Sequence, residues 1–554
     1  MRTTKLRPRI AVVALTLLIA PAYFAQRPTP SPTPTPSPRP AATVTATPVP
    51  TPALRTLEDL QAEIRTRLQR PELRRGQVGI KIVSLNTGKV VFDENSEKYF
   101  MPASNMKNFT VAAALEKLTP DYRFVTSVYA PAMPDTNGTV KGDLRIFGRG
   151  DVSISTAFSE GNYYKGLDDL ADKIAAAGVK RVEGSIVADD SYFRGNAVPG
   201  SWEWDDLQWY YGAEVSALPL NDNAVDLSVT PGPVGYSCSV KLIPNNPVYR
   251  VKNQCITTAA GTPRTLKIEK LLGQNVLEIT GTLPVGNNGF NGSVTITRPA
   301  ELFAALLKQR LESKGIVVTG QHAVRTSTTV PPAEQVEIAK LESAPLALIA
   351  AKTMKPSQNM YTETLLWTLG EEARKRISTP TVGTAAIAVI PSGSISAEAA
   401  RAQAITPQQT SAEIGIAEVK SFLTGIGVPP DGIIQYDGSG LSRHNLITPA
   451  AVVQLYTYMA KQSKYAQAWR DSLTIAGVDG TLRNRFRGTA AEGNIRGKTG
   501  TIDQVSALSG YMTTAAGEPL VVSFVVNGVP TGRDRTSMMD DIVVALAKFN
   551  GKID

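Results

Sequence analysis

Pro102-Ala-Ser-Asn-Met-Lys107 runs without a break into Asn-Phe-Thr-Val-Ala-Ala-Ala-Leu-Glu-Lys-Leu118, and this stretch decides how the chain is read. Its second part has helical periodicity from Asn108 to Leu118. A serine and a lysine three residues apart at the head of such a helix share one face, one turn apart. A lysine held near other cations in a desolvated pocket gives up its proton more readily and can serve as base for the hydroxyl. The amides of a helix N-terminus favour negative charge developing beside them. Alone, Ser104-x-x-Lys107 carries little weight, because the pattern recurs by chance in 554 residues.

Two later triplets change that. Ser357-Gln358-Asn359 and Lys498-Thr499-Gly500 follow in order, and the three together form the signature of penicillin-binding proteins and class A β-lactamases. Ser357 and Asn359 suit proton relay and the holding of a substrate amide. Lys498-Thr499-Gly500-Thr501 reads as a strand edge, where Gly500 admits close approach while Lys498 and the hydroxyls attract a carboxylate. With two histidines (His322, His444) and no Gly-x-Ser-x-Gly elbow, a Ser-His-Asp triad has little support.

The settings of the triplets extend the match. PASNMKNFT, PSQNMYTE, DGSGLSRHNLITP, VDGTLRNRF, RGKTGTI and ALSGY resemble the D-alanyl-D-alanine carboxypeptidase/endopeptidase family of low-molecular-mass class C penicillin-binding proteins, serine peptidase family S13. So do GRGD at Gly148, VADDSYF around Asp190, and WEWDDLQWYYGAEVSALPLNDN from Trp202. The likeness spans about residues 57–549. It implies an α+β fold in which a transpeptidase-type domain, an antiparallel sheet flanked by helices, is interrupted by a nested pair of β-rich domains. Ser104 and Ser357 stand 253 residues apart, room for such an insertion. The texture from about 125 to 330 agrees: short β-type runs alternate with Gly, Pro and Asn turns, interrupted by one helix at Gly166–Ala177. The expected division is a catalytic domain of 54–127 and 326–554, an inserted domain of 128–139 and 214–325, and a third domain, 140–213, nested in the second. Further elements are a helix at Leu57–Leu68, strands at Val78–Ser84, Lys89–Glu94, Ala507–Met512 and Pro519–Asn527, and a final helix at Ser537–Phe549.

The resemblance also implies a reaction. Ser104 attacks the carbonyl between two D-alanines of a peptidoglycan stem peptide, or a D-amino-acid crosslink, and Lys107 takes its proton. The amides of Ser104 and Thr501 hold the oxyanion, Ser357 passes a proton to the leaving amine, and water frees the acyl-enzyme. Peptidoglycan peptides are the expected substrates and β-lactams the expected covalent inhibitors, with no cofactor and no metal. The inserted module and the DGSGLSR loop, with Leu441, border the substrate's side chain. There Asp205 suits the amine of a diaminopimelate-type side chain, Arg443 its carboxylate, and Trp202 and Tyr210 its methylene chain. The plainer readings are that Trp204 and Trp209 are core aromatics, that Asp205, Asp206 and Arg443 make structural ion pairs, and that His444 is a turn residue. Two rival functions remain: a β-lactamase or esterase-type hydrolase, for which no candidate deacylating glutamate is recognised after Ser357, and a non-catalytic wall-binding protein, which the intact motif set argues against.

Outside the motifs, the N-terminus is the most informative region. Arg2, Lys5, Arg7 and Arg9 precede an apolar run, Ile10–Ala20, and Pro21-Ala-Tyr-Phe-Ala25 follows. This is the build of a secretory signal with Ala20-x-Ala22 as cleavage site, the alternative being an uncleaved membrane tether through residues 10–25. Residues 26–53 are almost wholly Pro, Thr, Ser, Ala and Val, an extended spacer without a core. Removing the four leader cations lowers the formal charge from +9 to +5, and no basic block interleaved with aromatics marks a nucleic-acid partner. Cys238 and Cys255, the only cysteines, read as a hairpin-closing disulfide on an exported chain, with two free thiols as the alternative. The stretch Ser378 to about Gln409, rich in Ala, Thr, Ser and Pro, reads as a surface loop.

Overall fold

The computed structural model describes residues 56–326, 335–378, 406 and 408–553. The expected leader, the spacer and nearly all of the 378–409 stretch lie outside them. Among the described residues, no helix is long and apolar enough to cross a membrane.

Pro519–Asn527 (PLVVSFVVN) sets the layering of the catalytic body. Leu520, Val522, Phe524 and Val526 pack in one core with Leu60, Ile64, Met538 and Ile542, whereas Val521 and Val525 join the core of Phe109 and Met106. Alternate side chains leave a strand on opposite faces, so an unbroken apolar run demands cover on both. That cover is supplied on one side by helices Leu57–Leu68 and Gly532–Lys548, and on the other by Lys107–Leu118 and Pro449–Lys461. The sheet is antiparallel, ordered Val90–Glu94, Gln77–Ser84, Pro519–Asn527, Val505–Thr513, Arg496–Ile502, Thr474–Ile475. The last neighbour pairs only with Gly497 and Arg496, which leaves residues 498–502 open along their outer side.

Helix Lys107–Leu118 is buried on nearly every face, as its run of small residues at Ala112–Ala114 permits. Around it stand Leu346–Met354, Asn359–Ser378 and Ser411–Gly425. The last of these begins at a reciprocal cap, where Thr410 and Glu413 satisfy each other's free amides.

Val125–Ala130, Leu144–Phe147, Ile186–Asp189, His322–Arg325 and Val336–Glu342 form one five-stranded sheet. Leu144–Phe147 and Ile186–Asp189 run parallel, and helix Lys165–Ala176 makes the crossover that parallel pairing requires. Strands from either side of residue 140 and of residue 326 thus share one sheet. The segment from Ala224–Thr230 to Phe290–Thr295, nested in sequence between those strands, is built of strands alone. The spacing of short strands shows that they exist but not which of them pair. A second helix, Pro299–Ser313, also lies within the stretch that reads as mostly β. Cys238 and Cys255 are joined in the nested unit, their Cα atoms 5.4 Å apart.

Candidate active site

Ser104 lies on a single 3-10 turn, Ala103–Met106, that feeds directly into the helix beginning at Lys107. The turn keeps the two side chains on one face: Lys107 Nζ is 2.9 Å from Ser104 Oγ. The same amine donates to Asn359 Oδ1 at 2.5 Å and to the Ser439 carbonyl at 2.7 Å. All three of its donor directions are therefore fixed, with the serine as one target. Lys107 is fully buried, and burial brings its ammonium down to about 7, although Asp437 and Glu363 pull the other way.

Gly440 and Gly500 allow this closeness. Gly440 has φ +83°, and a Cβ there would fall 1.8 Å from the Ala103 carbonyl oxygen. A Cβ on Gly500 would stand 2.6 Å from the Pro102 carbonyl oxygen and 3.1 Å from the Ser104 nitrogen. The open strand thus lies against the nucleophile turn, clasped by Asn105, whose Nδ2 donates to the Lys498 carbonyl at 3.2 Å. Lys498 Nζ donates to Ser357 Oγ at 2.8 Å and to its neighbour's carbonyl at 2.7 Å. Burial and the charge of Lys107 both push the Lys498 ammonium well down. Ser357 occupies the turn between two helices at φ +68°, a left-handed conformation that costs a non-glycine residue about 1–3 kcal/mol. Asn359, the first residue of the next helix, also donates to the Tyr211 carbonyl at 2.9 Å.

Ser104, Ser357, Asn359, Thr499 and Thr501 line a cleft of about 820 Å³. Leu441 and Tyr210 line it too, and its far end carries Asp205 and Arg443 with Glu203, Asp206 and Asp503. Arg443 Nε lies 2.9 Å from Glu203 Oε1 and its guanidinium also donates to the Asp503 carbonyl at 3.0 Å, so Glu203 is its ion-pair partner. Burial, then the charges of Asp205 and Glu203, lift the Asp206 carboxyl to about 6, with Arg443 opposing. Two aromatic expectations are corrected. Trp202 is buried and donates its indole N–H to Asp437 Oδ2 at 2.9 Å, so it braces the 437–440 turn instead of walling the cleft. Trp204 is 76% exposed rather than part of a core, while Trp209 is half-buried against Phe290.

Sequence reasoning missed Glu363, Asp437, Ser439 and Thr481. Thr481 accepts from the Thr499 hydroxyl at 2.7 Å. Asp437 and Ser439 lay inside the DGSG turn, and Glu363 follows Asn359 by four residues on one helix, a spacing that could have singled it out.

This arrangement matches known proteins over most of its length. The family model described as D-Ala-D-Ala carboxypeptidase 3 (S13) covers residues 60–393 and 395–549. A D-alanyl-D-alanine carboxypeptidase of Actinomadura sp. (strain R39) is 34% identical over 507 residues, 89% of this chain and 86% of its own. The carboxypeptidase DacB of Haemophilus influenzae is 25% identical over 463 residues, 82% of this chain and 86% of its own. A crystal structure of penicillin-binding protein 4 from Haemophilus influenzae superposes with a TM-score of 0.71 at 22% identity, covering 87% of this chain and 98% of that one. The fold is the penicillin-binding one with inserted domains, and the chain belongs to the D-Ala-D-Ala carboxypeptidase 3 (S13) family.

Proposed function

We propose that the chain is an exported, penicillin-sensitive serine peptidase that cleaves D-Ala-D-Ala bonds, and D-amino-acid crosslinks, in peptidoglycan stem peptides. The observation that carries this is the 2.9 Å contact between the Ser104 hydroxyl and an amine that burial brings near neutrality. Neutral Lys107 accepts the Ser104 proton as Oγ bonds to the substrate carbonyl carbon. The amides of Ser104 and Thr501 stabilise the oxyanion. Ser357, hydrogen-bonded to Lys498, relays the proton gained by Lys107 to the leaving amine, and the amine departs as the acyl-enzyme forms. Water then attacks the ester and restores Ser104. The residues carrying these steps are Ser104, Lys107, Ser357, Asn359 and Lys498, with Thr499, Gly500 and Thr501 as the edge along which the peptide lies. At the cleft's far end, the carboxylates and Arg443 favour a side chain bearing both an amine and a carboxylate. Residues 10–25 export the chain or tether it to the membrane.

Mass spectrometry after benzylpenicillin treatment should locate one adduct on the peptide containing Ser104, and the protein should release D-alanine from a D-Ala-D-Ala peptide. An adduct that persists in Ser104→Ala sinks the mechanism. Acylation without peptide turnover favours a wall-binding or penicillin-sensing protein.

A further inference from the structure

We propose that Glu363 is a positioning residue for the catalytic base: it holds the Gly438–Ser439 amides so that the Ser439 carbonyl fixes Lys107 Nζ against Ser104. The inference deepens the peptidase reading and rests on it. Glu363 is fully buried, its Oε2 accepting from the Gly438 amide at 3.0 Å and its Oε1 from the Ser439 amide at 2.7 Å. Ser439 thus turns its N–H to Glu363 and its carbonyl, on the next peptide group, to Lys107.

The neighbouring carboxylate does a different job. Asp437 accepts from the amides of Gly440 and Ser442, from Asn445 Nδ2 and from the Trp202 indole, all at 2.7–2.9 Å. Four donors tie it to the shape of its own turn. Glu363 comes from another element and sits one helical turn beyond Asn359, which gives Lys107 its third acceptor. One helix therefore restrains the amine twice, directly through Asn359 and through the turn by Glu363.

A plain structural cap is the competing account. Two amides can be satisfied by neutral oxygens, whereas a carboxylate taken fully out of water costs several kcal/mol. Burial, then the charge of Asp437, lifts the Glu363 carboxyl to about 8, while the Ser439 and Gly438 donors pull it back down; its charge matters where something nearby responds to it, and Lys107 does. The charged groups facing Lys107 are Asp437 and Glu363, with Lys498 across the site. Asp437 and Lys107 face Glu363 from the site side. On its outer side Glu363 borders a separate cavity whose titratable walls include Glu413 and His444. Removing the Glu363 charge should make protonated Lys107 harder to keep, and misplacing the Ser439 carbonyl should loosen the amine.

The test compares benzylpenicillin acylation rates and D-Ala-D-Ala turnover across pH for the wild type, Glu363→Gln and Glu363→Asp. In Glu363→Gln the amide can accept from only one of the two backbone donors, and the charge is gone. Its acylation rate should fall by about 10²-fold, as misplaced catalytic groups do, mostly in kcat with KM little changed. The acidic limb of its rate profile should also move to lower pH. Glu363→Asp keeps the charge on a shorter arm, so it should restore the limb while recovering only part of the rate. A folded Glu363→Gln with the wild-type limb overturns the proposal, whatever its rate. If that variant does not fold, a Glu363→Asp protein within twofold of the wild-type rate overturns it. A wild type that forms no Ser104 adduct overturns the parent reading first.

Discussion

The two ends of the cleft are built on opposite principles. At the reactive end, Lys107 and Lys498 are wholly buried and fully hydrogen-bonded, on a helix start and a sheet edge that meet at Gly500. At the far end, Glu203, Asp205, Asp206 and Asp503 share the cleft wall with Arg443, Arg485 and Arg535, with Trp204 in solvent nearby. The first end is dry and overdetermined, the condition under which an amine is depleted of its proton and held to a fraction of an ångström. The second is more exposed and carries charges of both signs, which suits attraction of a charged side chain rather than bond chemistry. Chemistry and selection should therefore be separable by mutation.

The largest effect should come from the reactive end. Lys107→Ala should lower acylation by about 10²–10⁴-fold, the usual contribution of a positioned base, and leave the far end's preference unchanged in whatever activity remains. In the wild type the base must be neutral, so the acylation rate should climb with pH and level off above about 7, because burial has lowered the ammonium to that value. A profile still climbing steeply at pH 9 would mean that the carboxylates Asp437 and Glu363 outweigh burial.

A smaller effect, confined to selection, should follow from Arg443→Ala. Loss of a charge-assisted pairing worth about 1.5–3 kcal/mol predicts a 10- to 100-fold fall in kcat/KM for peptides with a diaminopimelate-type side chain. Peptides with alanine there, and penicillin, should be spared. The raised Asp206 carboxyl gives a pH signature: below about 6 it is neutral, so preference for an amine-bearing side chain should weaken as pH falls. Equal losses on every substrate would make the Glu203–Arg443 pair a structural brace.

How legible each end was follows from the same contrast. Ser104, Lys107, Ser357 and Lys498 sit on local elements whose spacing is visible in sequence, and the structure brings them within hydrogen-bond reach. Strands such as Pro519–Asn527 announced themselves because burial on both faces leaves an unbroken apolar run. Trp202 was misplaced because an aromatic in an acidic run, Trp202-Glu-Trp-Asp-Asp206, reads equally as a cleft wall or as a buried donor. Only the distant Asp437 decides between them. Glu363 was missed because a lone glutamate on a helix usually faces water. Strand pairing over gaps such as Leu144 to Ile186 was not legible, because it is long-range information.

The smallest effect on catalysis should come from the nested unit itself, which the comparison of cleft ends leaves aside. Cys238 and Cys255 close a loop of 17 residues, and a crosslink of that span stabilises a fold by about 3 kcal/mol through the restricted unfolded chain. Neither residue lines the cleft, and both pack with Leu277, Ile279 and Leu283 in a core that also takes in Val128, Ile146 and Ala188 of the five-stranded sheet. Replacing both cysteines by alanine should therefore loosen residues 224–295 without touching Ser104. Hydrogen exchange should quicken across that range while penicillin acylation stays within about twofold of wild type, as expected for residues that share no partner with the site. A matching loss of acylation would show that the nested unit supports the reactive end through the outer sheet. The two parts of the molecule would then have to be treated as one mechanical body.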